Sequence, residues 1–218
     1  MSSHSPAPVH PPRSNGPGRP RDMGKRNAIL EAARRLFFGQ GFGGVSMDAI
    51  AAEAGVSKLT VYSHFGDKES LFSEAVRAQC SVMMPDTLFV QPPQGSLAEQ
   101  LEIIGQAFLR MICSPAAVST HRMMLIPGTG DEQVRRMFWQ AGPARLQQVM
   151  AEFLQGYVDR GELVIDDVAL AASQFFSLLK GELYSGLLCG LACDPDPSAV
   201  QAHVRASVRF FLRAYAPE

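Results

Sequence analysis

From Lys25 onward the chain carries apolar side chains at helical spacing, and period-two alternation is nowhere long enough to build a sheet. Ile29, Leu30, Ala33, Leu36 and Phe37 recur three and four apart, and Gly41 supplies the stop of a first helix. Ser46 stands before Met47-Asp48-Ala49-Ile50, where its hydroxyl suits an N-cap and Asp48 suits the positive end of a second helix that ends at Gly55. Ser57 caps a third, which runs to about His64. Gly66-Asp67 opens a fourth, with Leu71, Phe72 and Ala75 on one face.

Beyond Pro85 the pattern stays helical. Ser96 and Glu99 form a capping box ahead of a helix to about Cys113, and Ser114-Pro115 places a cap and an N1 proline before another. Asp131 to Gly161 reads as one helix or two, bent at Gly142-Pro143 because proline disrupts the preceding turn. Asp166 or Asp167 starts a long helix to about Gly190, and Asp196-Pro197 starts the last. The expected fold is all-α, with about nine helices.

The last two helices carry apolar stripes through Phe175, Leu179, Leu183 and Leu187 and through Val204, Val208 and Phe211, with Gly181, Gly186 and Gly190 allowing close approach. Packed against their symmetry mates they would form a four-helix bundle and close a homodimer; facing inward they would be core.

Composition narrows the class. With 46% hydrophobic and 19% charged residues among 218, the chain has ordinary globular usage, and no apolar run approaches the length that crosses a bilayer. No membrane partner is expected. Residues 1–21 are rich in Pro, Ser and Gly without an apolar segment, so they read as a disordered arm rather than a secretory signal, and a cytoplasmic location is expected. Four cysteines at 80, 113, 189 and 193 show no metal-binding spacing, so neither metal nor cofactor is expected; Cys189 and Cys193, one helical turn apart, are small buried hydrophobes or a redox pair. The net charge of -1 divides into +3 over residues 1–80 and -4 over the rest. Positive charge gathers just before the first helix, at Arg13, Arg19, Arg21, Lys25 and Arg26, as in a segment lying near phosphate or in a solvated tail.

The second and third helices meet a demanding pattern: Ala51 where two helices nearly touch, Gly55 in the turn, and Val61 buried at the crossing. That is a helix-turn-helix, whose second helix leaves a face free for the major groove. With Val56, Val61 and Phe65 inside, the outward residues are Lys58, Leu59, Thr60, Tyr62, Ser63 and His64, a set suited to base edges and phosphates. The bland reading of the same residues is a helical hairpin with a solvated face, in a protein-interaction or architectural module.

The run GFGGVSMDAIAAEAGVSKLTVYSHFGDKESLF resembles the DNA-binding domain of TetR-family transcriptional regulators. Phe42, Ser46, Ala54 to Ser57, Tyr62, Phe65, Lys68 and Glu69 meet the family pattern over residues 25 to about 75. The resemblance implies Ser46, Tyr62, His64 and Lys68 at phosphates, and Lys58, Leu59, Thr60 and Ser63 nearer base edges. Leu59 departs from the small residue or proline usual there: a leucine either touches a thymine methyl or holds the helix off the groove. Arg19 and Arg21, flanking Pro20, resemble the short basic arms of some members and either enter a minor groove or remain a flexible tail.

The second half is similar to the AefR-like regulatory domain of that family, in LRMICSPAAVSTHRMMLI, FWQAGPARLQQVMAEFLQGYVDRGELVIDD and AASQFFSLLKGELYSGLL. This implies division into an arm (1–21), a helix-turn-helix domain (22–75) and a helical regulatory and dimerisation domain (76–218). It implies a homodimeric, ligand-responsive repressor of a palindromic double-stranded operator. Phe108, Met111, His121, Met124, Phe138, Trp139, Met150, Phe153, Phe176 and Tyr184 are candidates for the wall of a cavity holding an apolar or amphipathic effector, with Arg122, Gln174 and Glu182 as further polar candidates. No nucleophile elbow, phosphate loop, HExxH or Glu-x-x-His pair supports an enzyme.

Overall fold

The computed structural model describes residues 22–90, 95–125, 132–191 and 195–217. The expected basic arm with Arg19 and Arg21, and Cys193, lie outside the described residues. Ten α-helices follow one another: α1 (Met23–Gly44), α2 (Met47–Glu53), α3 (Lys58–Phe65), α4 (Lys68–Met83), α5 (Leu97–Ile112), α6 (Pro115–Leu125), α7 (Glu132–Trp139), α8 (Arg145–Val158), α9 (Val168–Cys189) and α10 (Pro197–Tyr215). A 3-10 turn, Asp86–Phe89, precedes α5. Helices α7 and α8 run on through a π turn, Gln140–Ala144, so nine helical rods are present among the described residues. None of these helices is singly long and apolar enough to cross a membrane.

The starts are chemically specified. Ser46, Ser57, Asp67 and Asp167 each accept a hydrogen bond from the backbone three residues on, at 3.1, 3.2, 2.6 and 2.9 Å, satisfying amides that the first turn leaves unpaired. Ser96 and Glu99 complete the capping box of α5. The bend expected at Pro143 takes the form of the π turn, in which a widened turn accommodates the missing proline N–H.

Two apolar clusters form. One joins α1 to α4, where Phe37, Phe42 and Phe72 pack with centroids 5.2 to 5.9 Å apart, and Val61, Phe65 and Ala51 close the α2–α3 crossing. Val134 and Ala141 also join it. Helix α4 runs unbroken through the expected boundary at residue 75. The other cluster lies among α5, α8, α9 and α10.

That second cluster corrects the expected dimer face. Phe175, Leu179, Leu187, Val204, Val208 and Phe211 are buried within this chain, and Leu183 is half-buried. The apolar stripes of α9 and α10 face inward onto α5 and α8 and meet each other, as in the Phe175–Phe211 contact at 5.2 Å. Exposed on the two helices are Leu170 and Phe210, the small residues Ser177, Gly181, Ser185, Ala202 and Ala206, and charged side chains that include Lys180, Glu182, Arg205 and Arg209.

Helix α9 is broken at Gly181 (φ 42°, ψ −149°), a conformation L side chains avoid. A Cβ there would lie 2.8 Å from the His203 ring, whose Nε2 donates to the carbonyl of Leu179 at 2.9 Å. The imidazole thus satisfies an acceptor at the break. Gly181→Ala combines backbone strain of about 1–3 kcal/mol with this clash, and thermal unfolding should show a melting point lowered by roughly 4–10 °C for a chain of this size.

Candidate functional site

On α3 the buried side is Val61 and Phe65, and the opposite side presents Lys58, Leu59, Tyr62 and Ser63 to solvent, with Leu59 78% and Tyr62 41% exposed. These four recur at one and four residues' separation and therefore share a face. Thr60 is half-buried and shares a hydrogen bond of 2.8 Å with the capping Ser57 hydroxyl, and Ser63 Oγ donates to the Thr60 carbonyl at 2.8 Å. His64 is half-buried too, and its Nδ1 lies inside without a partner, so any reach outward is through Nε2.

Lys58 Nζ is held by Asp48 of α2 at 2.8 Å, and this hydrogen bond, followed by the carboxylate's charge, raises the lysine's pKa. Lys68, at the start of α4, sits 4.2 Å from the Phe42 ring centroid, and partial burial lowers its pKa. The basic residues just before and within α1 are partly committed inside the molecule. Arg26 pairs with Glu74 at 3.0 Å and lies 5.0 Å from the Phe65 ring, and Lys25 lies 3.7 Å from Asp22.

Behind α4 is a cavity of about 410 Å3, within the range of small-molecule sites. Of the ten expected wall residues, eight line it: Phe108, Met111, His121, Met124, Phe138, Trp139, Phe176 and Tyr184. Met150 and Phe153 do not. Both are turned into the body core, where Phe153 packs on Phe89 and Tyr157 at 6.2 and 5.1 Å. The other polar candidates are engaged elsewhere or exposed. Arg122 donates to the carbonyls of Leu187 and Leu188 at the end of α9, Gln174 accepts from the Tyr215 hydroxyl, and Glu182 is exposed.

Residues that periodicity alone did not single out complete the wall. Phe38 comes from α1, and Val76, Gln79 and Cys80 come from α4, so helices that pack the α2–α3 crossing also bound the cavity. Arg34 of α1 holds Gln79 Oε1 with two nitrogens, at 2.7 and 3.1 Å. Lys180 also lines the wall, four residues from both Phe176 and Tyr184, and that spacing was a signal the sequence carried. Helix α6 touches the head directly: a Cβ at Gly41 (φ 74°) would lie 2.7 Å from Met123 Sδ.

Inside, the Tyr184 hydroxyl bonds His121 Nδ1, and the His121 ring meets Phe138 edge-on at 5.5 Å. Burial, then the Lys180 charge, depresses the His121 pKa from 6.5 to about 4, while burial raises that of Tyr184. Both are neutral near pH 7, and the hydroxyl and Nδ1 share a single hydrogen bond. Burial also raises the Cys80 thiol, so it is no ready nucleophile.

Residues 29–75 match the family described as bacterial regulatory proteins, tetR family, and residues 99–217 match the AefR-like transcriptional repressor C-terminal domain. The chain belongs to the TetR family. It is a DNA-binding transcriptional regulator, in a family of regulators rather than enzymes. It is 29% identical over 163 residues to the HTH-type transcriptional regulator SrpR of Pseudomonas putida, covering 74% of this chain and 75% of that one. Among solved structures it resembles the flavonoid-responsive regulator FrrA at 33% identity and a TM-score of 0.70, covering 90% of this chain and all of that one. A TetR family transcriptional regulator from Pseudomonas syringae pv. tomato DC3000 aligns at 27% identity and a TM-score of 0.61, covering 89% and 98% of the two chains.

Two outcomes follow from this geometry. Asp48→Asn releases Lys58 and removes a negative charge beside the DNA-facing helix, so DNA affinity measured by fluorescence anisotropy should rise a few-fold; Lys58→Ala should lower it and reduce the slope of log affinity against log salt by about one. The depressed His121 pKa means that the unfolded chain binds the extra proton first as pH falls. The residue therefore contributes stability that is complete above about pH 6.5 and lost as pH falls toward 4, at most about 3 kcal/mol from a shift of this size. Urea unfolding across that window should show a shallower loss in His121→Gln.

Proposed function

We propose that this regulator is a repressor that binds a palindromic operator as a homodimer and is released when a small apolar or amphipathic effector fills the cavity behind α4. The observation that carries the reading is the shared wall. Helix α4 begins beside α3 and supplies Val76, Gln79 and Cys80 to the cavity, so an effector pressing on α4 acts on the helix that aims the DNA-facing side chains. A preference for one head spacing of about 1–3 kcal/mol is enough to change operator affinity 5- to 150-fold. The flavonoid-responsive character of FrrA supports an effector of amphipathic, ring-bearing type.

In this reading Lys58, Leu59, Tyr62 and Ser63 meet base edges and phosphates, Ser46, His64 and Lys68 meet the backbone, and Thr60 steadies the start of α3. The arm at residues 1–21 adds phosphate contacts through Arg19 and Arg21, residues 22–75 form the reading domain and 76–218 the regulatory one. The protein works in the cytoplasm, where its DNA is. The dimer forms through the outer side of α9 and α10, with Leu170 and Phe210 as apolar anchors and Ser177, Gly181, Ala202 and Ala206 permitting close approach.

The test is binding to DNA from the chain's own promoter region, compared with random DNA at ordinary salt. The expected result is a specific dimer complex over two half-sites about one helical turn, or a multiple of it, apart. Phe210→Glu should sediment as a monomer and lose most of the specific affinity. No preference over random DNA would overturn the operator reading.

A further inference from the structure

We propose that the cavity selects an aromatic amphipath bearing one anionic group, a carboxylate or phenolate, with Lys180 as its counter-ion. The proposal rests on the cavity being the effector site and adds the charge and shape of what it takes. Four aromatic rings, Phe108, Phe138, Trp139 and Phe176, form much of the wall, with Met111 and Met124 between them. Among the described residues no aspartate or glutamate lines it. The charged side chains on the wall, Lys180 and Arg135, are therefore both cationic, set beside apolar surface.

Lys180 occupies the middle of a stripe on α9, with Phe176, Tyr184 and Leu188 four and eight residues away and all on the wall. No carboxylate of the described residues lies within ion-pair distance of it, although nine ion pairs form elsewhere among those residues. The residue reaches solvent, yet the apolar surface beside its ammonium lowers its pKa by desolvation, a cost that an anion seated on the wall next to it would offset. The neighbouring polar groups are already satisfied in a way that fits. Tyr184 and His121 bond each other and stay neutral, so neither supplies the missing negative charge, and Gln79 has its oxygen committed to Arg34. An anion bonded to Lys180 would keep its rings among the aromatic wall, and a cation of the same shape would meet Lys180 uncompensated.

Trp139 is the only tryptophan of the chain and lines this cavity, so its fluorescence reports occupancy. Biphenyl-4-carboxylate and the isosteric biphenyl-4-carboxamide are titrated against the full-length wild type, Lys180→Met and Lys180→Arg, with operator affinity measured alongside. The carboxylate should bind at least tenfold more tightly than the amide. The preference should vanish in Lys180→Met, with amide binding retained as evidence of an intact cavity, and persist in Lys180→Arg. Equal binding of the two probes to wild type overturns the anion proposal and leaves the cavity reading standing if either probe releases operator. Carboxylate preference that depends on Lys180 but leaves operator affinity unchanged supports the ligand class and sinks the effector reading. Failure of both probes to perturb Trp139 overturns the proposal.

Discussion

Everything in this molecule hangs on how α4 is buried. Its first turns bring Leu71, Phe72 and Ala75 into the aromatic cluster of the head, and its next turn puts Val76, Gln79 and Cys80 against the cavity. A helix of 16 residues is a rod about 24 Å long, held internally by its own backbone hydrogen bonds. Such a rod moves as a unit more readily than it bends, so a displacement at the cavity end is delivered to the end beside α3. The Arg34–Gln79 hydrogen bonds and the seat of Met123 against Gly41 add two further links between head and body.

Helix α3 shows a compromise of the same kind. Packing takes Val61 and Phe65 inward, and capping takes Ser57 and Thr60 out of free circulation, so the reading surface narrows to a few side chains. One of these, Lys58, is held by Asp48 in the absence of DNA. An exposed ion pair of this sort is cheap to open, and it holds the lysine toward α2 near the start of α3.

The cavity departs from ordinary core in where its polar groups sit. A half-buried histidine and a buried tyrosine satisfy each other, whereas Lys180 lacks a carboxylate among the described residues. Folding tolerates such a cation because the residue remains exposed, so its ammonium keeps access to solvent while its stem lies along the apolar wall.

Local chemistry was legible in the chain. The caps at Ser46, Ser57, Asp67, Ser96 and Asp196 and the crossing built from Ala51, Val61 and Phe65 depend on neighbours a few residues away, so the sequence alone determined the helices, their order and the helix-turn-helix; the expected stop at Gly41 is a kink, beyond which α1 continues to Gly44. Eight wall residues were also within reach, since large apolar side chains on α5, α6, α7 and α9 had to gather somewhere. What pattern could not decide was which apolar face meets which. Periodicity says that Phe175, Leu179, Val208 and Phe211 are covered, but not whether by this chain or by another copy, and only the tertiary packing of α9 and α10 onto α5 and α8 assigned them to the chain's own core. The break at Gly181, the inward turn of Met150 and Phe153, and the meeting of Lys180 with an aromatic wall likewise belong to tertiary structure, because each depends on atoms brought together from distant parts of the chain.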